Sequence, residues 1–128
     1  MKKWNQPTSG ELEILEVLWE RGASSVREVH DIISRRKPTA YTTVLKFMQI
    51  MFEKGLVERD VSSKAHVFEA KQPQSETQRN LVGDLLEKAF RGSALSLVQH
   101  VLETKPASRE DLDAIRRMIN EAEAKGVK

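Results

Sequence analysis

The stretch Ala40-Tyr41-Thr42-Thr43-Val44-Leu45-Lys46, followed after six residues by Glu53-Lys54-Gly55-Leu56-Val57, decides how the rest of the chain is read. Thr39 is the predicted N-cap of a helix here, since a short hydroxyl side chain ahead of an apolar-periodic run satisfies otherwise free N–H groups. Val44, Met48, Met51 and Phe52 recur at helical spacing and form its expected buried side, with the two methionines filling core gaps, and Lys54-Gly55 supplies the stop. After Gly55 the period changes. Residues 56–61 and 65–70 are short β-rich runs about Ser62-Ser63-Lys64, which predicts a hairpin whose register is open because no Asn-Gly type turn is present.

Upstream lie two more helices with recognisable starts. Thr8 and Glu11 have capping-box spacing, and Leu12, Leu15, Leu18 and Trp19 form an apolar stripe, expected to be core, before Gly22 ends the helix. Ser25 and Glu28 repeat the box ahead of Val26, Val29, Ile32 and Ile33, and Arg35-Arg36-Lys37-Pro38 closes the second helix with positive charge and a breaker. Three helices and then a hairpin is the order of a winged helix-turn-helix, in which the third helix enters the DNA major groove and the hairpin lies along the backbone.

Gln72-Pro73-Gln74-Ser75 is a polar break, and three further helices are expected after it. Ser75 and Gln78 form a third capping box before Leu81, Leu85, Leu86 and Phe90, and Gly92 ends that helix. Ser93 opens one carrying Leu95, Val98, Val101 and Leu102. Ser108 opens the last, with Leu112, Ile115 and Ile119 along one side. Short helices of this kind bury their stripes poorly alone, and a second copy of the same stripe would cover them, so a two-fold dimer is expected. The fold class is therefore mainly α with a small β-hairpin. Residues 1–72 are read as a winged-helix DNA-binding domain and residues 73–128 as a helical dimerisation domain; the alternative is that the later helices fold back on the first domain within one monomer.

Composition narrows the chemistry. The chain has 128 residues, 31% of them charged, with a formal net charge of only +2. Up to Gln72 there are 12 basic and 10 acidic residues, so the small excess sits in the first half, where a local nucleic-acid surface needs it. No cysteine is present, which removes disulfide, thiol and zinc-finger chemistry. His30, His66 and His100 lack metal-ligand spacing, and no Gly-rich phosphate loop occurs. A non-enzyme without cofactor or metal is expected. Apolar runs are short, so neither membrane insertion nor a signal segment is expected, and the location is read as cytoplasmic.

Within the third helix, Thr42 and Thr43 suit phosphate or base edges, Tyr41 offers a phenol to a phosphate, and Lys46 lies one turn on along the same face. Arg59, Lys64 and His66 are the hairpin's candidates, with Lys64 at its tip. Each has a plainer reading: a Thr-Thr pair is also ordinary capping chemistry, and exposed lysines ordinarily solvate a face. A winged-helix adaptor that docks another protein rather than DNA is the alternative function, favoured by the low net charge and by Ile50.

Residues 12–20 (LEILEVLWE), Val26-Arg27-Glu28-Val29-His30, residues 40–46 (AYTTVLK) and Glu53-Lys54-Gly55-Leu56-Val57 together resemble the penicillinase-repressor family, the BlaI/MecI/CopY type of bacterial winged-helix repressor. The resemblance runs across the whole chain. It implies a homodimer that binds a palindromic operator in double-stranded DNA and blocks transcription, with recognition contacts on Tyr41, Thr42, Thr43 and Lys46. It also implies inactivation by cleavage in the C-terminal helices, carried out by a sensor metalloprotease or by a downstream protease on its signal. The matching bond is His100-Val101, where the best-known members have Asn-Phe. Ile50 and Phe68 likewise stand where many relatives carry Arg and Tyr. The C-terminal cysteines of the copper-responsive branch are missing, which argues against copper sensing.

Overall fold

The computed structural model describes residues 4–62, 64 and 66–126. Ser63 and Ala65, placed above in the hairpin turn and in its second run, lie outside them. The contacts fall into two compact units, Met1–Gly83 and Asp84–Lys128.

In the first unit α1 (Ser9–Arg21) opens on the expected capping box. Thr8 Oγ1 accepts the Glu11 N–H (3.2 Å) and Glu11 Oε1 accepts the Thr8 N–H (2.9 Å). The same Glu11 oxygen sits 2.8 Å from Lys54 Nζ, so the box also ties the start of α1 to the end of the third helix. Glu11 is only 2% exposed, and a buried carboxylate persists only with such partners. Ser24–Ser25 forms a two-residue strand, β1, and α2 (Val26–Arg36) follows with its box between Ser25 and Glu28 as expected.

Helix α3 spans Tyr41–Lys54, but its N-cap is Ala40 and not Thr39. Thr39 is held outside the helix: its hydroxyl donates back to the Lys37 carbonyl (2.7 Å) and its own carbonyl is taken by side chains of α2. Val44, Met48 and Met51 are buried as expected. Phe52, expected beside them, is 38% exposed and serves as a platform under Arg59. Gly55 adopts φ +82°, and the N–H of Leu56 returns to the Met51 carbonyl (2.9 Å), so the left-handed glycine turns the chain into the hairpin while satisfying a helix-end acceptor.

The hairpin strands are β2 (Val57–Asp60) and β3 (Val67–Ala70), in antiparallel register with Val57 opposite Ala70 and Arg59 opposite Phe68. β3 also pairs with β1, giving a three-stranded sheet in the order β1-β3-β2. The sequence gives no sign of β1, because two serines carry no alternation and their pairing is non-local. The core joins Ile14, Leu15, Val17 and Leu18 of α1, Val26, Val29 and Ile33 of α2, the α3 residues above, Val57 and Phe68. Each such side chain contributes roughly 1.5–3 kcal/mol on full burial. Trp19 packs at the rim instead of in the core, and its Nε1–H donates to the Gln72 carbonyl (2.9 Å).

Helix α4 (Gln74–Phe90) starts one residue before the expected Ser75 cap. Pro73 sets the start: its carbonyl accepts the Glu76 and Thr77 N–H groups, leaving Ser75 inside the first turn. In the second unit α5 (Ala94–Thr104) and α6 (Arg109–Ala124) begin on Ser93 and Ser108, as expected. Neither helix contains a buried residue. Among the described residues no helix is long and apolar enough to cross a membrane.

Candidate nucleic-acid interface

The first turn of α3 projects from the turn that links it to α2. No side chain caps it: the N–H groups of Thr43 and Val44 both return to the Ala40 carbonyl (3.1 and 3.3 Å), and Tyr41 and Thr42 head the helix without a capping oxygen. Such a start keeps its partial positive charge available to an anion. Tyr41, Thr42, Thr43 and Lys46 are all exposed, and Gln49 and Ile50 continue the exposed stripe one turn further.

Two side chains of α2 fix the linking turn. His30 Nε2 and Ser34 Oγ both donate to the Thr39 carbonyl, at 2.7 and 3.1 Å. The acceptor is a carbonyl, so Nε2 is the protonated ring nitrogen. The His30 ring meets the Tyr41 ring edge-on at 5.6 Å between centroids, so the same histidine braces the phenol at the tip of α3.

In the wing, the Arg59 guanidinium lies 4.2 Å from the centre of the Phe52 ring, a cation–π contact that holds a long side chain in place. Asp60 Oδ1 accepts the Ser62 N–H (2.9 Å), which keeps its carboxyl below the usual carboxylate range. Lys64 and His66 are exposed.

A groove runs between the start of α2, one side of α3 and the wing. It brings together four of the residues singled out by sequence, Tyr41, Arg59, Lys64 and His66, and adds Arg27 and Gln49. Thr42 and Lys46 are not among the residues lining it, and Thr43 lines a separate hollow with Lys37 and Phe47. Arg27 was not found by sequence because only the pairing of β1 with β3 brings the start of α2 beside the wing. Gln49 had a usable signal: it lies at i+3 from Lys46 on the polar side of the α3 pattern.

Comparison with known proteins fits this architecture. Residues 7–121 match the family model described as Penicillinase repressor. The chain belongs to the penicillinase repressor family. Among its relatives, the transcriptional regulator BlaI of Mycobacterium tuberculosis strain H37Rv is 34% identical over 119 residues, covering 90% of this chain and 85% of that one. The methicillin resistance regulatory protein MecI of Staphylococcus aureus is 20% identical over 113 residues, covering 88% and 92%. The solution structure of the DNA-binding domain of the repressor BlaI superposes with a TM-score of 0.52 at 22% identity, over 59% of this chain and 93% of that one. H. salinarum RosR gives 0.53 at 16% identity over 93% and 96%. These likenesses establish the winged helix-turn-helix fold for this family member.

The residues assigned above to a dimer contact lie on α4, α5 and α6. Leu81, Leu86, Phe90, Leu112 and Ile115 are half-buried in the single chain, whereas Leu85, Leu95, Val98, Val101, Leu102 and Ile119 are exposed. Leu95 is the extreme at 80%. His100 is exposed in the middle of α5; its Nδ1 lies 2.8 Å from the Ser96 carbonyl and its ring 5.6 Å from that of Phe90.

Proposed function

We propose that the chain is a homodimeric, sequence-specific DNA-binding transcriptional repressor, acting in the cytoplasm, that binds a palindromic operator through α3 and the wing. The observation that carries this reading is the first turn of α3: it lacks a side-chain cap and is headed by exposed Tyr41, Thr42 and Thr43, with Lys46 one turn behind. Threonine hydroxyls and methyls reach base edges, the tyrosine and the helix start take phosphate, and Lys46 adds charge where the net balance of the chain is low. Relatives named as regulators and repressors support repression as the outcome.

The exposed apolar side chains of α4, α5 and α6 support a dimer. Apolar side chains such as Leu85, Leu95, Val98 and Val101 stand in water in the single chain, and each gains roughly 1.5–3 kcal/mol on full burial. An isologous contact covers the same patch on both copies and spaces two α3 tips for two half-sites. Cleavage at His100-Val101, in response to a sensor metalloprotease, would divide α5 and end that pairing. The bond lies within a helix, so cutting requires local opening of α5.

An electrophoretic shift with the DNA upstream of the chain's own gene tests the reading. A shift on that duplex at protein levels that leave random DNA free is expected. No shift at low salt from a folded dimer would favour the adaptor, with Ile50, 36% exposed on α3, as part of its docking face. Mass spectrometry of the chain from induced cells tests cleavage, and an intact chain under full induction would dismiss it.

A further inference from the structure

The groove between the start of α2, α3 and the wing carries a different balance of charge from the hollow beside it. Arg27, Arg59, Lys64 and His66 line it, and no carboxylate does among the described residues. The neighbouring hollow that runs over β2 and β3 is lined by Glu58, Asp60 and Glu69 as well as Arg59 and Lys71. In a chain of net charge +2, Arg27, Arg59 and Lys64 without an acidic counterpart in the groove are a local concentration of positive charge.

Arg27 is the unexplained member. It is exposed, and it forms no ion pair among the described residues. The adjacent Glu28 is already committed, to Arg21 at 3.0 Å and to the Ser25 N–H at 2.9 Å, so it does not neutralise Arg27. Across the groove Arg59 is held against Phe52, and the Tyr41 phenol and the Gln49 amide of α3 supply uncharged hydrogen-bonding groups. Guanidinium groups on two separate elements, with neutral donors between them, match an anion that carries several oxygens and continues past the site.

The geometry points to a phosphodiester subsite in this groove, in which Arg27 of α2 clamps the backbone of one DNA strand opposite Arg59 and Lys64 of the wing. This rests on the DNA-binding reading above and deepens it: α2, and not only α3 and the wing, fixes the register on the duplex. A phosphate contact adds affinity without sequence preference, so Arg27 positions the protein while Thr42 and Thr43 read.

The test is fluorescence anisotropy with the full-length chain, using the upstream duplex and a random duplex of equal length, over a salt series, for wild type, Arg27→Gln and Arg27→Lys. Loss of one phosphate contact per protomer makes the log-log salt slope of Arg27→Gln shallower by about 2 for a dimer, so its deficit grows roughly three- to fourfold for each halving of salt. Equal deficits on both duplexes and recovery of the slope in Arg27→Lys are expected, with unchanged circular dichroism and sedimentation. An unchanged slope in Arg27→Gln, beside normal wild-type binding, overturns the subsite and leaves the DNA-binding reading standing. A deficit confined to the upstream duplex assigns Arg27 to a base and also overturns it. Absence of wild-type binding to either duplex overturns both.

Discussion

His30 Nε2 lies 2.7 Å from the Thr39 carbonyl oxygen, so a side chain of α2 holds the backbone just ahead of the first turn of α3. Ser34 shares that acceptor, and the His30 ring also braces Tyr41. The tip of α3 is therefore positioned from α2 and not by a cap of its own.

Removal of this brace should weaken DNA binding more than its stability cost explains. His30→Ala loses one net hydrogen bond, about 0.5–1.5 kcal/mol of folding stability. Urea denaturation and anisotropy on the upstream duplex, run together, check the expectation; a binding loss no larger than that seen on random DNA would reduce His30 to a packing role. Because His30 and Ser34 donate to one oxygen, their alanine substitutions should be non-additive in a double-mutant cycle.

Thr43→Ala tests base reading by the first turn of α3. A loss of about 1–3 kcal/mol in binding to the upstream duplex, with altered sequence preference, is expected of a base contact. Equal loss on random DNA would assign the hydroxyl to phosphate.

The Glu11–Lys54 pair should dominate the electrostatics of folding in the first unit. Lys54→Met strands a carboxylate that is 2% exposed and should destabilise by about 2–3 kcal/mol, below the value for a fully buried pair because Lys54 is partly solvated. Glu11→Gln keeps an acceptor for the Thr8 N–H and should cost less. Chemical denaturation of both variants and of the double variant checks this, with partial recovery expected in the double.

Acid stability follows from Glu28. The Ser25 N–H, and after it the charge of Arg21, hold its carboxyl below its ordinary value of 4.5. The folded form thus binds the proton less readily than the unfolded chain. Its stabilising contribution is complete above about pH 4.5 and is lost as the pH falls through the lower folded value. Asp60, lowered by the Ser62 N–H, acts in the same direction. Denaturation midpoints of Glu28→Gln should fall less steeply than wild type below pH 4.5, and parallel curves would contradict the assignment.

At the α4–α5 turn Arg91 has φ +52° and Gly92 φ +81°. A non-glycine residue in the left-handed region is disfavoured by about 1–2 kcal/mol, partly offset by the entropy that a glycine adds to the unfolded chain. Arg91→Gly should therefore stabilise by about 0.5–1 kcal/mol, and Arg91→Val should destabilise; thermal melts read both.

What the sequence revealed follows from locality. The boxes at Thr8/Glu11 and Ser25/Glu28 are readable because four consecutive residues contain the whole interaction. Gly22 and Gly55 are readable because helix ends need a special backbone. Thr39 does not cap α3, because its hydroxyl is diverted to Lys37 and its carbonyl to His30 and Ser34, partners that no local pattern identifies. Strand β1, the Glu11–Lys54 pair and the place of Arg27 beside the wing all depend on segments distant in sequence. Of the candidate interface, Tyr41, Thr42, Thr43 and Lys46 were nominated by residue type and resemblance, and all four are exposed on α3.

Sedimentation of the full-length chain, alone and with its upstream duplex, tests the central claim most directly. Two protomers held together at micromolar concentration, and two protomers on each operator duplex, are the predicted result. A single well-folded protomer in both samples would contradict the account.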